Sequence, residues 1–232
     1  MSTPQSQVSP SAELRARVLA AARAEPVAPR AVGALRSALA ITGGVAVSAA
    51  ILMSIGGPGG YGRPSGYYVT LAVLWLGVGV AGAWAGVVRG RSMLGRAVSL
   101  RALVVVLVPV ALVLTALVAG LAVPPYVKAT GMHEHLRCVM FTVLMAAGPL
   151  AALLFVRRGS DPVAPRITGA ALGTVAGAIG GLGIELRCSH AGLFHVFVGH
   201  IVPVVALALF GALVAGRVVA VRAAALAPRW RG

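Results

Sequence analysis

The stretch "ITGAALGTVAGAIGGLGI", residues 167–184, carries no charged side chain. An apolar run of about 20 residues is long enough to cross a membrane as one helix. Gly169, Gly173, Gly177 and Gly181 recur at every fourth position, so they form one smooth stripe along that helix. Because small residues allow helix backbones to approach closely in lipid, we interpret the stripe as a packing surface.

Five similar apolar runs occur elsewhere in the chain. Of the 232 residues, 59% are hydrophobic and 11% are charged, whereas about 25% are charged in a typical soluble domain. We therefore predict an all-α integral membrane bundle of six transmembrane helices, residues 37–216, between a tail of residues 1–36 and a tail of residues 217–232. The predicted spans are 37–55, 67–88, 102–124, 139–156, 167–184 and 196–216.

The basic residues predict the orientation of these helices. Of the 20 Lys and Arg residues, all but four lie in the two tails and in the second and fourth connectors. This alternation places both termini in the cytoplasm by the positive-inside rule. The net charge of +15 is thus a topology signal and a set of lipid anchors, and we expect no direct nucleic acid binding. The four exceptions are Arg63, Lys128, Arg137 and Arg187.

The amino-terminal tail contains "PSAELRARVLAAARAE", residues 10–25. Ser9 is a suitable N-cap and Pro10 a suitable first helical residue, so we predict a short amphipathic cytoplasmic helix. Leu14 and Val18 fall on its apolar face. Two interpretations remain open from this segment: the helix lies on the lipid surface, or it docks onto a cytoplasmic partner.

Metal-capable and redox-capable residues gather on the outer side. The third connector carries His133, His135 and Cys138, and the fifth carries Glu185, Cys188, His190 and His195, with His200 about one turn into the last helix. The predicted helix centres carry no charge, which disfavours pumps, channels and intramembrane enzymes. We expect no enzymatic activity and no cofactor.

The two cysteines flank a predicted helical hairpin, so both thiols should lie at similar depth. Three interpretations stay open: a structural disulfide or packed thiols, a redox-responsive or metal-responsive pair, and a constitutive metal site. The candidate sensing or disulfide residues are Cys138 and Cys188. The candidate metal ligands are His133, His135, His190, His195 and His200.

The carboxyl-terminal half, residues 135–216, resembles the NrsF family of six-helix bacterial inner-membrane anti-sigma factors. The resemblance rests on the order and spacing of a few features along "LRCVMFTVLMAAGPLAALLFVRRGSDPVAPRITGAALGTVAGAIGGLGIELRCSHAGLFH". These features are Cys138, Pro149, Arg157-Arg158-Gly159, the glycine ladder from Gly169 to Gly183, Cys188, Phe194 and His200.

The resemblance implies a protein of the bacterial inner membrane that sequesters an extracytoplasmic-function sigma factor and releases it on external stress. It implies that Cys138 and Cys188 sense metal or oxidant, and that the tail binds the sigma factor. The expected partner-binding residues are Leu14, Arg15, Arg17, Val18 and Leu19. The Ala, Val and Arg content also suggests myxobacterial light-response anti-sigma factors, for which the signal would be a light-generated oxidant and the output carotenoid synthesis.

Two other function classes are alternatives to an anti-sigma factor. A small metal or solute transporter could use the outer His and Cys residues as an entry site, although the apolar helix centres argue against transport. A membrane enzyme or assembly factor could handle periplasmic thiols. The abundant outer His residues depart from the simplest family pattern, so the sequence leaves the signal open.

Overall fold

The structure, a computed structural model, describes residues 30–59, 65–87, 98–122, 131–160, 163–190 and 192–220, together with Glu13, Ala16 and Ala20. These residues form helices and no β-strand, which confirms the all-α prediction for the described part of the chain. The helices are α1 Arg30–Ser54, α2 Ser65–Val87, α3 Val98–Ala122, α4 Met132–Val156, α5 Pro165–Glu185 and α6 Leu193–Val218.

Five of the described helices have the length and hydropathy of membrane-spanning segments, as expected of a membrane protein. They are Leu35–Ser54 within α1, Val98–Val118 within α3, and the whole of α4, α5 and α6. The apolar part of α2, Tyr68–Ala83, is shorter. The described residues therefore contain five candidate spans, and the sixth stays a prediction.

The first turns of α4 correct the predicted boundaries. We predicted a span from residue 139, whereas α4 begins at Met132. His133, His135 and Cys138 therefore lie on the helix itself and not in a connector. Glu134 lies in the first turn, where a carboxylate interacts favourably with the positive end of the helix dipole. Polar residues can thus extend an apolar helix toward its amino terminus, and a hydropathy criterion alone places the start too late.

Helix α5 is the centre of the bundle and packs against α2, α3, α4 and α6. Its glycine stripe explains how these helices approach it. A Cβ atom on Gly169 or Gly173 would overlap backbone atoms of α6, and one on Gly181 would overlap the ring of Trp75 in α2. The interpretation of the stripe as a packing surface is confirmed.

Helix α1 meets α4 through small residues and is otherwise largely exposed. A Cβ atom on Gly44 would lie 2.9 Å from the carbonyl oxygen of Gly148, so the two backbones are close at this point. One turn along α1, the buried Ser48 hydroxyl donates a hydrogen bond to the carbonyl oxygen of Met145. Helix α1 is therefore held at one narrow crossing together with contacts at its carboxyl end.

Helix α6 is not a regular α-helix throughout. Residues Phe197–Ile201 form a π segment that ends just before Pro203. A proline has no N–H group, so Pro203 cannot donate a hydrogen bond to the carbonyl oxygen of Gly199. The Thr142 hydroxyl of α4 lies 3.2 Å from that oxygen. The local break in the hydrogen-bond ladder is thus accommodated by a side chain from the neighbouring helix.

Two arginines are buried at the end of the bundle where α3 and α5 begin. Arg101 donates a hydrogen bond to the Thr168 hydroxyl, and Arg157 follows α4. Nearby, the Gly159 N–H donates to the carbonyl oxygen of Val218 over 3.0 Å. These basic residues have a packing role in addition to the topology signal that the sequence suggested.

The chain divides into two compact units, Met1–Arg36 and Ser37–Gly232. In the first unit, Glu13, Ala16 and Ala20 are helical and exposed. The predicted amphipathic helix and the domain boundaries remain predictions. The partner-binding residues predicted in that tail lie outside the described residues: Leu14, Arg15, Arg17, Val18 and Leu19.

Candidate functional site

Both cysteines lie at one end of the bundle, where α4 begins, α5 ends and α6 begins; we call this the cysteine end. Cys138 is on the second turn of α4, and Cys188 follows the last residue of α5 closely. Their sulfur atoms are 3.8 Å apart. Both are thiols and both are buried, at 7% and 6% exposure. The fold thus brings together two residues that are 50 positions apart in the chain.

Two histidines of α6 complete a cluster around the thiols. The Nε2 atom of His195 lies 3.2 Å from the sulfur of Cys188. His200 is completely buried on the next turn. One ligand atom from each of the two cysteines and two histidines lies within 4.8 Å of all the others. The four residues therefore form a compact set of donors that are suitable for a metal ion.

The π segment explains why His195 and His200 face the same cluster. In a regular α-helix, residues five positions apart point about 140° away from each other. A π turn closes its hydrogen bonds between residues five apart, which brings such residues back onto one face. Phe197–Ile201 is this kind of turn. It begins two residues after His195 and includes His200.

The other ring nitrogen of each histidine is held by a second residue. His200 Nδ1 lies 2.6 Å from Glu185 Oε2, and both side chains are fully buried. A carboxylate only accepts hydrogen bonds, so Nδ1 carries the proton. His195 Nδ1 lies 2.9 Å from Nδ1 of His135. These contacts fix the orientation of both rings and leave Nε2 of each ring available toward the thiols.

The Nε2 atom of His200 is buried and has no hydrogen-bond partner among the described residues. A buried polar atom without a partner costs free energy, on the order of 1–3 kcal/mol, so such atoms are rare in folded proteins. Its position in a cluster of two thiols and a second imidazole is suitable for a metal ligand. This atom is the clearest structural sign of a candidate ligand site in the described residues.

The surroundings of Cys188 favour its thiolate. The neighbouring thiol of Cys138 and, to a smaller extent, the rings of His195 and His200 lower the pKa of Cys188, against the opposing effect of burial. The His190 N–H also donates to the Cys188 sulfur over 3.4 Å. A thiolate is the form of cysteine that binds metals and reacts with oxidants.

A cavity of about 300 Å³ is lined in part by Cys138 and Cys188. Its wall includes Arg137 and Arg187, together with Glu134 and His190. The cavity is large enough for hydrated ions and small oxidants, since a water molecule occupies about 30 Å³. The thiols are therefore buried in the bundle but lie next to a space that small solutes can enter.

The candidate residues from the sequence take different positions. Cys138, Cys188, His195 and His200 come together. His135 contacts His195 through their Nδ1 atoms, and the centre of the half-buried His190 ring lies 5.0 Å from that of His195, with the rings tilted by 41°. His133 is exposed and lies outside the cluster. Of the predicted residues, the structure thus groups four possible ligands and places His135 and His190 beside them.

Sequence reasoning missed the residues that hold this cluster in place. It named Glu185 without recognising its contact with His200, and it gave no role to Thr142, whose hydroxyl lies near Gly199. It also missed the link between the segment that carries Cys188 and the region from the end of α1 to α2. The Gly59 N–H and the Tyr68 hydroxyl both donate to the carbonyl oxygen of Leu186, over 2.9 and 3.0 Å. An acidic residue directly after an apolar run was the available signal for Glu185.

Comparison with known proteins places these features in context. Residues 20–220 match the family model NrsF, described as negative regulator of sigma F. The matched range includes all six described helices and both cysteines. No curated protein and no solved structure matches the chain.

Proposed function

Because the chain belongs to the NrsF family of negative regulators of sigma F, we propose that it is an anti-sigma factor of the bacterial inner membrane. It sequesters an extracytoplasmic-function sigma factor and keeps it from RNA polymerase until an external signal arrives. Six transmembrane helices, with α2 as the sixth, place both termini in the cytoplasm and the cysteine end outside. The alternation of Arg-rich segments along the chain supports this orientation.

The observation that carries the proposal is the pair of sulfur atoms 3.8 Å apart at the cysteine end. A disulfide needs an S–S distance of about 2.05 Å, so a small movement of the side chains closes it. With a hydroperoxide as oxidant, the two thiols give up two protons and two electrons, and the peroxide is reduced to water and an alcohol. The same two thiols, deprotonated, bind a thiophilic metal ion. Both signals therefore act at one place.

A signal at the thiols reaches α1 through the segment that contains Cys188. The carbonyl oxygen of Leu186 accepts hydrogen bonds from Gly59 and Tyr68, and Arg187 Nε donates to the carbonyl oxygen of Ile55 over 3.0 Å. Leu52 of α1 packs in the same apolar cluster as both cysteines. Closing or metallating the thiol pair shifts this segment and the end of α1 attached to it. Helix α1 continues from the tail, so its displacement changes the hold on the sigma factor.

Co-purification with the sigma factor tests the docking role of the tail. Leu14 and Val18 lie on the predicted apolar face, so L14D/V18D is expected to abolish binding and to release sigma-dependent transcription. The matched control is A16D/A20D, which adds the same charge to the opposite face of the predicted helix. If L14D/V18D bound and repressed as well as the unmodified protein, the tail would not be the docking element.

The cysteines are tested separately in cells that carry a reporter of sigma-dependent transcription. The double substitution C138S/C188S is expected to keep repression and to lose induction by added cadmium and by added peroxide. S92A is a control on a serine remote in sequence from the site. Normal induction of C138S/C188S by both agents would remove the thiols from the sensing mechanism.

Transport is the alternative function that the same site permits. Among the described residues, the buried ionisable side chains lie toward the two ends of the bundle: His135, Glu185, His195 and His200 at the cysteine end, with Arg101 and Arg157 at the other. A transport path usually has polar groups at the membrane midplane. Metal uptake into proteoliposomes that contain the purified protein would favour transport, and retention of sigma binding without uptake would favour the anti-sigma factor.

A further inference from the structure

We propose that Cys138, Cys188, His195 and His200 form a four-ligand site for a thiophilic divalent cation of the zinc and cadmium class. The site itself stands on geometry, whereas its regulatory consequence rests on the proposed function. Two thiolates and two imidazoles are a common ligand set for tetrahedral Zn²⁺. The proposal assigns to the histidines a direct role that a disulfide switch would not need.

The distances fit such an ion. With metal–sulfur bonds of about 2.3 Å, the edge between two sulfur ligands of a tetrahedron is about 3.8 Å. The sulfur atoms of Cys138 and Cys188 are 3.8 Å apart. With metal–nitrogen bonds of about 2.0–2.1 Å, a sulfur–nitrogen edge is about 3.5 Å, and the distance from Cys188 Sγ to His195 Nε2 is 3.2 Å. Because all four donors lie within 4.8 Å of one another, only small side-chain movements are needed.

The residues behind the histidines are those that a metal site requires. A ligand histidine usually donates its other N–H to a carboxylate or another acceptor, and this contact orients the ring. Glu185 has this position behind His200, and His135 has it behind His195. The unpartnered Nε2 atom of His200 is the remaining donor. A disulfide alone would use neither Nε2 atom as a ligand.

Charge balance also favours a divalent ion in this buried position. Two thiolates carry two negative charges, and a divalent cation neutralises them, while the buried Glu185 carboxylate is held by the hydrogen bond from His200. An isolated buried charge is costly, whereas a neutral metal–dithiolate unit is not. An ion that coordinates all four residues ties α4, α6 and the segment between α5 and α6 together. When an external metal ion binds, it fixes the arrangement of the segment that contains Cys188 and holds α1.

Cobalt is the probe for the test, because tetrahedral Co²⁺ with thiolate ligands has strong visible and charge-transfer absorption. The reduced full-length protein in detergent is expected to bind one equivalent of Co²⁺ with this spectrum, and Zn²⁺ is expected to displace it. H195A and H200A are each expected to weaken binding at least tenfold. H133A is the matched control, since His133 is exposed on the same end of the bundle.

X-ray absorption of the zinc-loaded unmodified protein provides a second measurement that does not depend on folded variants. We expect two sulfur and two nitrogen ligands. A six-coordinate cobalt spectrum, unchanged binding by H195A and H200A, or a zinc shell without histidine nitrogen would overturn the site. Sigma-factor binding is measured on the same preparation. A protein that holds the sigma factor and does not bind Co²⁺ refutes this site alone, and the converse result refutes the proposed function alone.

Discussion

The Nε atom of Arg187, the residue before Cys188, donates a hydrogen bond to the carbonyl oxygen of Ile55 over 3.0 Å. A Cβ atom on Gly56 would lie 2.9 Å from the same guanidinium group, so this side chain fits closely around the end of α1. Arg187 therefore joins the segment that carries a thiol to the end of α1, the helix that follows the amino-terminal tail in the chain. In the proposed function, this local link carries a change at the thiols to α1.

Removing this link should separate sensing from output. R187A is expected to keep repression and metal binding but to lower cadmium-induced reporter activity several-fold, because coupling between two sites typically corresponds to roughly a 5- to 150-fold effect. The measurement is the ratio of induced to uninduced reporter activity. R137A is the matched control, since Arg137 lines the same cavity and stacks on Phe141. Equal induction ratios for R187A and the unmodified protein would show that the signal travels by another route.

The carboxylate behind His200 should control metal affinity. We expect E185Q to weaken Co²⁺ and Zn²⁺ binding by about 10- to 100-fold, the usual effect of losing a group that orients a ligand histidine. The dissociation constant is measured by competition with a chromophoric chelator. E134Q removes a carboxylate that lines the cavity near Cys138, and we expect it to bind metal normally. The proposed role of Glu185 is refuted if the two variants have the same affinity.

Bound metal should protect both thiols from alkylation. The site must open before a maleimide can react, so Zn²⁺ at 100 times its dissociation constant should slow labelling about 100-fold. Labelling is followed by mass spectrometry, and a chelator should restore the original rate. C138S is the control. It retains the Cys188 thiol but lacks one of the two sulfur ligands, so Zn²⁺ should protect Cys188 much less in this variant. Equal protection of C138S would mean that the ion binds elsewhere.

The glycine stripe should be intolerant of even one added methyl group. A Cβ atom on Gly173 would overlap the backbone of Leu207, so G173A must push α5 and α6 apart. Overpacking typically costs about 1–3 kcal/mol of unfolding free energy, and here the obstacle is backbone. Unfolding by added denaturing detergent measures the change.

G77A is the control for that experiment. Gly77 lies in helix α2, and a Cβ atom there would meet nothing within 4 Å. Alanine also has a higher helix propensity than glycine. We therefore expect G77A to be as stable as the unmodified protein or slightly more stable. A loss of stability in G77A equal to that in G173A would mean that the stripe is not a specific packing surface.

The sequence predicts the apolar helices well because their signal is local. Lipid requires a continuous apolar run, and the glycine period of four residues predicts which face of α5 packs closely. The predicted start of α4 was wrong because His133, Glu134 and His135 are polar yet helical. Hydropathy detects where lipid contact begins, and a helix can begin earlier.

The candidate site was predictable in its residues but not in its geometry. The two cysteines flank one helical hairpin, so their proximity follows from topology. The grouping of His195 with His200 does not follow, since their spacing of five residues does not fit one face of an α-helix. It depends on the π segment Phe197–Ile201, which lies just before Pro203 in α6. There the Thr142 hydroxyl of α4 lies near the carbonyl oxygen of Gly199. Long-range contacts of this kind leave no periodic pattern in the sequence.

The π segment also has a genetic consequence. A π turn accommodates one residue more than an α turn, so deletion of a single codon within 197–201 would restore a regular helix. The close contacts of α5 with Val204 and Gly211 fix the later part of α6. The resulting rotation of about 100° therefore falls on the turn that carries His195 and moves that ring away from Cys188. One inserted or deleted codon is therefore enough for a lineage to gain or lose the His195 ligand while His200 and the packing of α5 against α6 are kept.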